Sequence, residues 1–244
     1  MEKLIYKIGI DEAGKFLERP NRFIAKVELK DRGEVICHVH DSGRIKELLF
    51  LENEVSLKKA KEGSKRKTDW DLISAKADDG EDILINSAYH RYISENFLKD
   101  FEISPFGKID SITAEVKNGD SRLDYLLEKD GKKIWVEVKG VSLSVNKVAM
   151  FPDAPSTRAQ KHLKELIKIK ENGDRAAVLL LVFRDSESFR PKYETDLEFS
   201  KLFYKAMKAG VEIYPVQFYL KDGDIIYREK KIEILPLFSF LYIL

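Results

Sequence analysis

The feature that most constrains the fold is a continuous apolar run in the second half of the chain, "RAAVLLLVF", residues 175–183. No polar residue interrupts it, so it lacks the alternation expected of a strand with one face in solvent. Such a run predicts a strand buried on both faces, as in the central sheet of an α/β domain. A sheet of this kind needs helices packed against it.

The flanking sequence supplies those helices. Three segments repeat apolar residues at helical spacing, namely residues 86–101, 156–173 and 196–210. The second has Ser156 or Thr157 as its N-cap and Asn172-Gly173 as its stop. Together with the strands between them, these segments predict an α/β domain that begins with a helix and a meander of β-hairpins.

The first 85 residues have a different character, because they consist of short strand-like runs separated by turn residues. The turns are predicted at Gly14, Pro20, Asn21, Gly33 and Gly43. Several short strands at this spacing predict a small β-barrel or sandwich.

Composition limits the classes of function. The 43 Lys and Arg residues nearly balance the 42 Asp and Glu residues, giving a net charge of +1, so binding to a polyanion has to come from local patches. The single Cys37 excludes an internal disulfide and indicates a reducing, cytoplasmic setting. The apolar tail, residues 234–244, is about half the ~20 residues of a membrane helix. It is expected to pack as a terminal strand or to form a homodimer contact, and no membrane association is expected.

One hairpin, "SRLDYLLEKDGKKIWVEVKG", carries the first candidate site. Asp130-Gly131 is a strong signal for a two-residue type I′ turn, and counting outward from it places Asp124 directly opposite Glu137. Their Cβ atoms would then be roughly 4.5–5.5 Å apart. Two like charges at ~4 Å repel by on the order of 4 kcal/mol, so a compensating charge is expected.

The tripeptide Glu137-Val138-Lys139 has a near copy upstream, Glu115-Val116-Lys117. The same counting from a turn at Asn118-Gly119 places Glu115 opposite Arg122 and Lys117 opposite Asp120. The upstream copy would therefore form ordinary cross-strand ion pairs, with Glu115 and Arg122 supporting the charged face.

Two explanations of the opposed carboxylates are open. Lys139 can neutralise them alone, on a solvated face of charged pairs. Alternatively Asp124 and Glu137 bind Mg²⁺ or Mn²⁺, which is held by one or two carboxylates plus waters and phosphate oxygens. A nearby lysine can then orient a water or stabilise charge on phosphate, a combination suited to phosphodiester hydrolysis.

The chain closely resembles the sugar fermentation stimulation protein A family in three segments, one of which contains this hairpin: "SRLDYLLEKDGKKIWVEVKGVSL", "AMFPDAPSTRAQKHLKEL" and "GDRAAVLLLVFR". The upstream "RPNRFIAKVEL" fits the same pattern. The resemblance extends over nearly the whole chain, to about Pro236.

The resemblance implies an N-terminal OB-like β-barrel, residues 1–81, followed by a restriction-endonuclease-like α/β domain with a mixed central sheet, residues 82–244. The second domain would be of the PD-(D/E)XK class, whose catalytic Asp and Glu-x-Lys fall on Asp124, Glu137 and Lys139. An acidic residue of the first helix often joins the metal ligands in that class, and Glu95 is the candidate. DNA binding is the activity that the family implies.

Candidate DNA contacts lie in two basic segments. The first is the loop that contains Lys58, Lys59, Lys65, Arg66 and Lys67; the second is a stripe on the helix that begins near Ser156, with Arg158 and Lys161 as its first members. Gln160 and His162, on the same helix, are expected to support the site.

Two functions follow as alternatives. One is a DNA-binding protein with a Mg²⁺-dependent phosphodiesterase site, a metal-dependent deoxyribonuclease. The other is a non-catalytic DNA-binding regulator of sugar-metabolism genes that retains the nuclease scaffold.

Overall fold

The structure of the protein, a computed structural model, describes residues 1–41, 43, 45–60, 63, 68–119 and 121–236. The chain divides into two compact units. The first comprises Met1–Ile93 and Phe218–Arg228, and the second comprises Ser94–Gln217 with the described residues from Glu229 onward. The predicted DNA contacts Lys65, Arg66 and Lys67 lie outside the described residues.

The described residues form strands and helices in the following order along the chain: β1 (Glu2–Lys7), β2 (Glu12–Asn21), β3 (Ile24–Leu29), β4 (Gly33–His38), β5 (Glu54–Lys59), β6 (Trp70–Lys76), β7 (Asp82–Leu84), a 3₁₀ turn (Ser87–Tyr89), α1 (His90–Lys99), β8 (Ser111–Asn118), β9 (Ser121–Lys129), β10 (Lys132–Val141), β11 (Leu143–Val145), β12 (Val148–Phe151), α2 (Thr157–Glu171), β13 (Arg175–Val182), β14 (Ser188–Pro191), α3 (Leu197–Lys208), β15 (Glu212–Lys221), β16 (Asp224–Arg228) and β17 (Glu233–Ile234).

The first unit contains the barrel that the sequence predicted. Its strands are ordered β4-β3-β2-β5-β6, and a parallel pairing of β6 with β4 closes them into a ring. Strand β7 continues the sheet from β6, and β1 pairs antiparallel with β16 in the same unit. The closed five-stranded arrangement is OB-like, as expected.

The turns predicted at Gly14 and Pro20 are wrong, because both residues lie within strand β2. A Cβ at position 14 would lie 2.6 Å from the carbonyl oxygen of Glu28, so glycine here allows two strands to approach closely. Pro20 falls in an irregular stretch of the β2–β3 pairing, where its missing N–H breaks no ladder bond.

The second unit is built on a mixed sheet ordered β15-β13-β10-β9-β8. Strands β10, β13 and β15 are parallel, whereas β9 is antiparallel to both β10 and β8. Every residue of β13 after Arg175 is buried, as the continuous apolar run predicted. Helix α2 packs against β13, β9 and β10 and against α3. A smaller sheet, ordered β11-β12-β14-β17, completes the unit.

The N-termini of α2 and α3 are fixed to each other by one carboxylate. Asp196 caps α3 through the N–H of Phe199, and it also accepts hydrogen bonds from the N–H of Ser156 at 2.9 Å and from the amide of Gln160 at 2.9 Å. Burial raises the pKa of Asp196, but these donors outweigh it and hold the pKa below its ordinary value. Because Ser156 is the N-cap of α2, this contact holds the start of α2 beside the start of α3.

Among the described residues, no helix is both long enough and apolar enough to cross a bilayer. Residues 237–244 of the apolar tail lie outside the described part of the chain, so the predicted homodimer contact stays a prediction.

Candidate functional site

The hairpin of β9 and β10 has the register that its turn predicted. Asp130 and Gly131 both have positive φ, 52° and 71°, as a type I′ turn requires. The cross-strand pairs run from Lys132 opposite Lys129 at the turn to Val136 opposite Tyr125.

Beyond that last pair the two strands separate, and Asp124 lies at the fork. Its Oδ2 accepts a hydrogen bond from the backbone N–H of Val138 at 2.7 Å, which replaces the next backbone bond of the ladder. Strand β10 continues beside β13, where Glu137 lies next to Val178. The fork therefore brings Asp124 and the tripeptide Glu137-Val138-Lys139 together.

Glu137 is the most deeply buried charged group of this cluster, with 2% of the residue exposed. Its Oε1 is contacted by the ammonium of Lys139 and by Nδ1 of His162. Its Oε2 is also buried and has no hydrogen-bond partner. Burial alone would raise the pKa of Glu137, but Lys139 and His162 together lower it below the ordinary value, so the carboxylate is held ionised.

Asp124 has the opposite electrostatic environment. Burial, followed by the negative charge of Glu137, raises its pKa to about 6, even though Lys139 and the Val138 N–H act against the shift. The predicted repulsion between the two carboxylates is thus present, and Lys139 compensates only part of it.

Helix α2 covers this face of the sheet at the fork. The alternation of β9 and β10 predicted a charged face, but Trp135 and Glu137 on that face are both buried. His162 comes from α2, where it shares the buried side with Ala159, Leu163 and Leu166. That helical spacing is the signal in the sequence that marks His162 as inward-facing.

A small pocket opens beside the buried carboxylate. It is lined by Glu137, Lys139 and His162, and its apolar walls are Ala159, Leu163, Val178 and Phe199. Gln160 is not among the lining residues, because its amide is bonded to Asp196. Gln160 therefore helps to hold the start of α2 against Asp196 and does not contact the carboxylate cluster.

The predicted register of the upstream hairpin is wrong by two residues. Asn118 pairs with Ser121 and Lys117 pairs with Arg122, so Glu115 falls opposite Asp124 rather than Arg122. A slip of two residues leaves every side chain on its original face, so the apolar pattern cannot distinguish the two registers. Asp120, the predicted partner of Lys117, lies outside the described residues.

Glu115 consequently adds to the negative charge at the fork. The β8–β9 pairing skips Glu115, whose φ is 56°, and the residue is exposed. Its charge contributes to the raised pKa of Asp124. Glu115 therefore does not lie opposite Arg122, the cation that was expected to pair with it.

The donor set fits a divalent cation that keeps much of its water shell. Within the described part of the chain, no group of three or more His, Cys, Asp and Glu side chains is arranged to hold a metal ion. Two carboxylates are present, and one contributes a buried oxygen without a donor, which is the arrangement that Mg²⁺ accepts. Glu95, the predicted additional ligand, bonds to the ammonium of Lys99 at 2.6 Å.

The predicted DNA contacts differ in accessibility. The ammonium of Lys58 donates to the carbonyl oxygen of Ile8 at 2.6 Å, so it stabilises the barrel, whereas Lys59 is exposed. On α2, Arg158 and Lys161 are exposed. These three exposed cations remain candidates for contact with phosphates.

Two protein-family models match this chain, one in its N-terminal part and one in the rest. The model of the SfsA N-terminal OB domain matches residues 17–86, and that of the sugar fermentation stimulation protein RE domain matches residues 86–224. The sugar fermentation stimulation protein homolog of Thermosipho melanesiensis is 42% identical, over 93% of this chain and 96% of its own. The homolog of Methanococcoides burtonii is 40% identical, over 92% and 93%.

A solved structure is similar over the same extent. It is that of Pyrococcus furiosus SfsA in complex with Ca²⁺, which is 29% identical and superimposes with a TM-score of 0.86. The match covers 96% of this chain and 100% of that one. The chain therefore belongs to the sugar fermentation stimulation protein family.

Proposed function

We propose that this protein binds DNA and hydrolyses its phosphodiester bonds with Mg²⁺ or Mn²⁺ at the fork of β9 and β10. The observation that carries the proposal is the buried Oε2 of Glu137, which has no donor and lies in a cluster with Asp124 and Lys139. An ionised buried oxygen without a partner is unfavourable in a folded protein, and a bound cation would satisfy it.

The residues divide into roles by their surroundings. Asp124 and Glu137 would hold the cation, which when bound activates water and neutralises charge on a phosphate. Lys139 has 16% of its side chain exposed, so its ammonium can reach a substrate phosphate while remaining beside Glu137. A positive charge fixed there stabilises the negative charge that develops on phosphorus oxygens.

The solved relative supports a divalent cation in this family. The Pyrococcus furiosus protein was determined in complex with Ca²⁺. Both Ca²⁺ and Mg²⁺ prefer oxygen ligands, and carboxylates bind either ion. That relative is 29% identical to this chain over nearly its whole length, and its bound cation supports a cation at the carboxylates of this chain.

The DNA surface is proposed to include the exposed stripe of α2. Arg158, Lys161, Lys164 and Lys168 are all exposed on this helix, which also supplies His162 to the site. With a net charge of only +1, the protein depends on such local patches to attract a polyanion.

The alternative, a DNA-binding regulator of sugar-metabolism genes without catalysis, is favoured by one observation. Lys139 and His162 both contact Oε1 of Glu137, so the buried charge already has two partners inside the protein. Such a buried trio can stabilise the fold without a cation.

The test combines cation binding with cleavage. Mn²⁺ binding to the full-length protein is measured by calorimetry, and cleavage of single- and double-stranded DNA is measured with and without Mg²⁺. Asp124→Asn and Glu137→Gln are compared with Glu28→Gln, because Glu28 is an exposed glutamate of β3 that begins another Glu-x-Lys sequence.

We expect the wild type and Glu28→Gln to bind Mn²⁺ and to cleave, and the two site variants to lose both properties. DNA binding without cleavage of either substrate at any Mg²⁺ or Mn²⁺ concentration would favour the regulator. Absence of DNA binding in the wild type would contradict both functions.

A further inference from the structure

His162 is a buried polar residue that has no role in the proposed hydrolysis. It lies on the inward side of α2 with 5% of the residue exposed. Its Nδ1 contacts Oε1 of Glu137, and it lines the same pocket as Lys139. Because this contact is to Oε1 alone, it leaves Oε2 of the same carboxylate without a hydrogen-bond donor.

Two donors on one oxygen fix the orientation of the carboxylate. Lys139 and His162 both contact Oε1, so tilting the carboxylate out of its present plane would lengthen both contacts at once. Lys139 is partly exposed and has a long side chain with many rotamers, whereas the ring of His162 has few rotamers and is enclosed by the pocket. The imidazole is therefore the more rigid of the two donors.

The fold sets the position of that ring. Asp196 fixes the start of α2 through Ser156 and Gln160, and His162 follows on the second turn of the helix. Leu163 and Phe199 pack around the pocket. A displacement of α2 along its axis would move the imidazole away from Glu137, so this chain of contacts transmits the position of Asp196 to the carboxylate.

We infer that His162 is a positioning residue for the cation site: its Nδ1–H holds Oε1 of Glu137 so that Oε2 is presented to a divalent cation. The inference rests on the proposed function, since it concerns the same site. His162 itself is not expected to bind the cation or to touch the substrate. Its contribution is to reduce the number of orientations that Glu137 samples before binding.

Three substitutions separate this role from packing. An asparagine at 162 can place its amide nitrogen near the position of Nδ1, a glutamine places it farther along, near Nε2, and a leucine fills similar volume without a donor. Leu163→Ala is the matched control, because it removes packing from the same pocket and leaves the donor in place.

The experiment measures Mn²⁺ affinity of the full-length protein by calorimetry, together with the midpoint of chemical unfolding without metal. His162→Leu is expected to weaken Mn²⁺ binding by about 10- to 100-fold, the range found when an outer partner of a metal ligand is removed. His162→Asn is expected to retain most of the affinity, and His162→Gln to fall between them. Leu163→Ala should unfold more easily but bind Mn²⁺ as the wild type does.

A second measurement uses the kinetics of DNA cleavage. His162→Leu should raise the Mg²⁺ concentration needed for half-maximal rate more than it lowers the rate at saturating Mg²⁺, with DNA affinity unchanged. A residue that served packing alone would instead change unfolding in parallel with Leu163→Ala and leave the Mg²⁺ requirement unaltered.

The outcomes are distinguishable. If the wild type binds no Mn²⁺, the proposed function fails and the inference fails with it. If the wild type binds Mn²⁺ and folded His162→Leu binds it equally well, only the inference fails. If His162→Leu does not fold, the comparison of His162→Asn with His162→Gln decides, and equal affinities would overturn the inference.

Discussion

The two Glu-Val-Lys tripeptides have identical residues and very different surroundings. Glu115-Val116-Lys117 lies on the outermost strand of the second unit's sheet, where Glu115 is exposed. Glu137-Val138-Lys139 lies on β10 between β9 and β13, under helix α2, where Glu137 is almost completely buried. Burial beneath a helix turns an ordinary charged tripeptide into one with a perturbed pKa and an unpaired oxygen.

The comparison also shows that the exposed copy is not electrostatically independent. Glu115 falls opposite Asp124 in the register of β8 and β9, and its charge helps to raise the pKa of Asp124. The upstream copy therefore modifies the environment of the downstream one, although a water-exposed charge acts more weakly than a buried one. Five predictions test how far the two copies differ.

The largest difference is expected between Glu137→Gln and Glu115→Gln. Loss of the buried carboxylate should abolish cleavage and weaken Mn²⁺ binding by on the order of 100-fold or more, since even outer partners of a ligand are worth 10- to 100-fold. Glu115→Gln should keep cleavage, because Glu115 is exposed at the edge of the fork. Calorimetry measures the Mn²⁺ affinity of the two variants, and a DNA cleavage assay measures their activity. Equal losses in the two variants would show that the two tripeptides do not differ in function.

The next largest difference is expected between Lys139 and Lys117, in the rate of cleavage. Lys139→Ala is expected to lower the cleavage rate by about 10²- to 10³-fold, the effect of removing one group that stabilises transition-state charge. Lys117→Ala should leave the rate unchanged, because Lys117 lies opposite Arg122 on the outer strand. Single-turnover cleavage at saturating Mg²⁺ is the measurement. A Lys139→Ala protein with the wild-type rate would exclude its catalytic role.

Stability without metal should respond to Asp124→Asn. The pKa of Asp124 in the folded protein, about 6, lies above the ordinary value of 3.8, so the ionised form destabilises the fold above pH 6 and has no effect below about pH 4. At pH 8 the variant should be more stable than the wild type by up to about 3 kcal/mol, because each pKa unit corresponds to ~1.4 kcal/mol.

Chemical unfolding in the presence of a chelator at pH 8 and pH 4 checks this prediction. The gain should fall to a small fraction of this value at pH 4, where Asp124 is protonated in the folded state and about half ionised in the unfolded state. Glu115→Gln should show a smaller gain at pH 8, since it removes only a minor contribution to the repulsion. Destabilisation by Asp124→Asn at pH 8 would show that its bond to the Val138 N–H outweighs the charge.

Cation affinity should depend on pH through the same group. A cation competes with the proton on Asp124, so Mn²⁺ binding should weaken as pH falls through about 6. In Glu115→Gln the midpoint should move to lower pH, because a charge that raises the pKa of Asp124 has been removed. Mn²⁺ titrations between pH 5 and 8 measure the shift, and a midpoint that did not move would show that Glu115 is screened.

The smallest effect is expected on DNA binding. Arg158→Gln removes an exposed cation of α2 and should weaken binding while lowering the slope of log affinity against log salt by about 0.9 per lost phosphate contact. Lys117→Gln, an exposed cation on β8, is the control and should leave the slope unchanged. Fluorescence anisotropy at several salt concentrations provides the measurement. Equal slopes for Arg158→Gln and the wild type would place the DNA surface elsewhere.

Sequence reasoning succeeded where local rules are strict and failed where they allow two solutions. Asp130-Gly131 specified the β9–β10 turn, and the register followed as far as the fork. At Asn118-Gly119 the chain turns one residue later than predicted, a change that preserves the side-chain faces and so leaves no trace in the apolar pattern. The turn predicted at Gly14 is wrong because this glycine serves the close approach of β3, a contact between strands that turn chemistry does not reveal.

The sequence by itself determined the two architectures, the buried strand β13, the cap of α2, and the juxtaposition of Asp124 with Glu137. These depend on periodicity, turn chemistry and capping, which act over a few residues. Only the tertiary structure decided that α2 covers the fork, that His162 reaches Glu137 and that Glu115 lies opposite Asp124. Those contacts join residues 9 to 25 positions apart, and burial, which sets the pKa values of this site, arises only when the helix packs on the sheet.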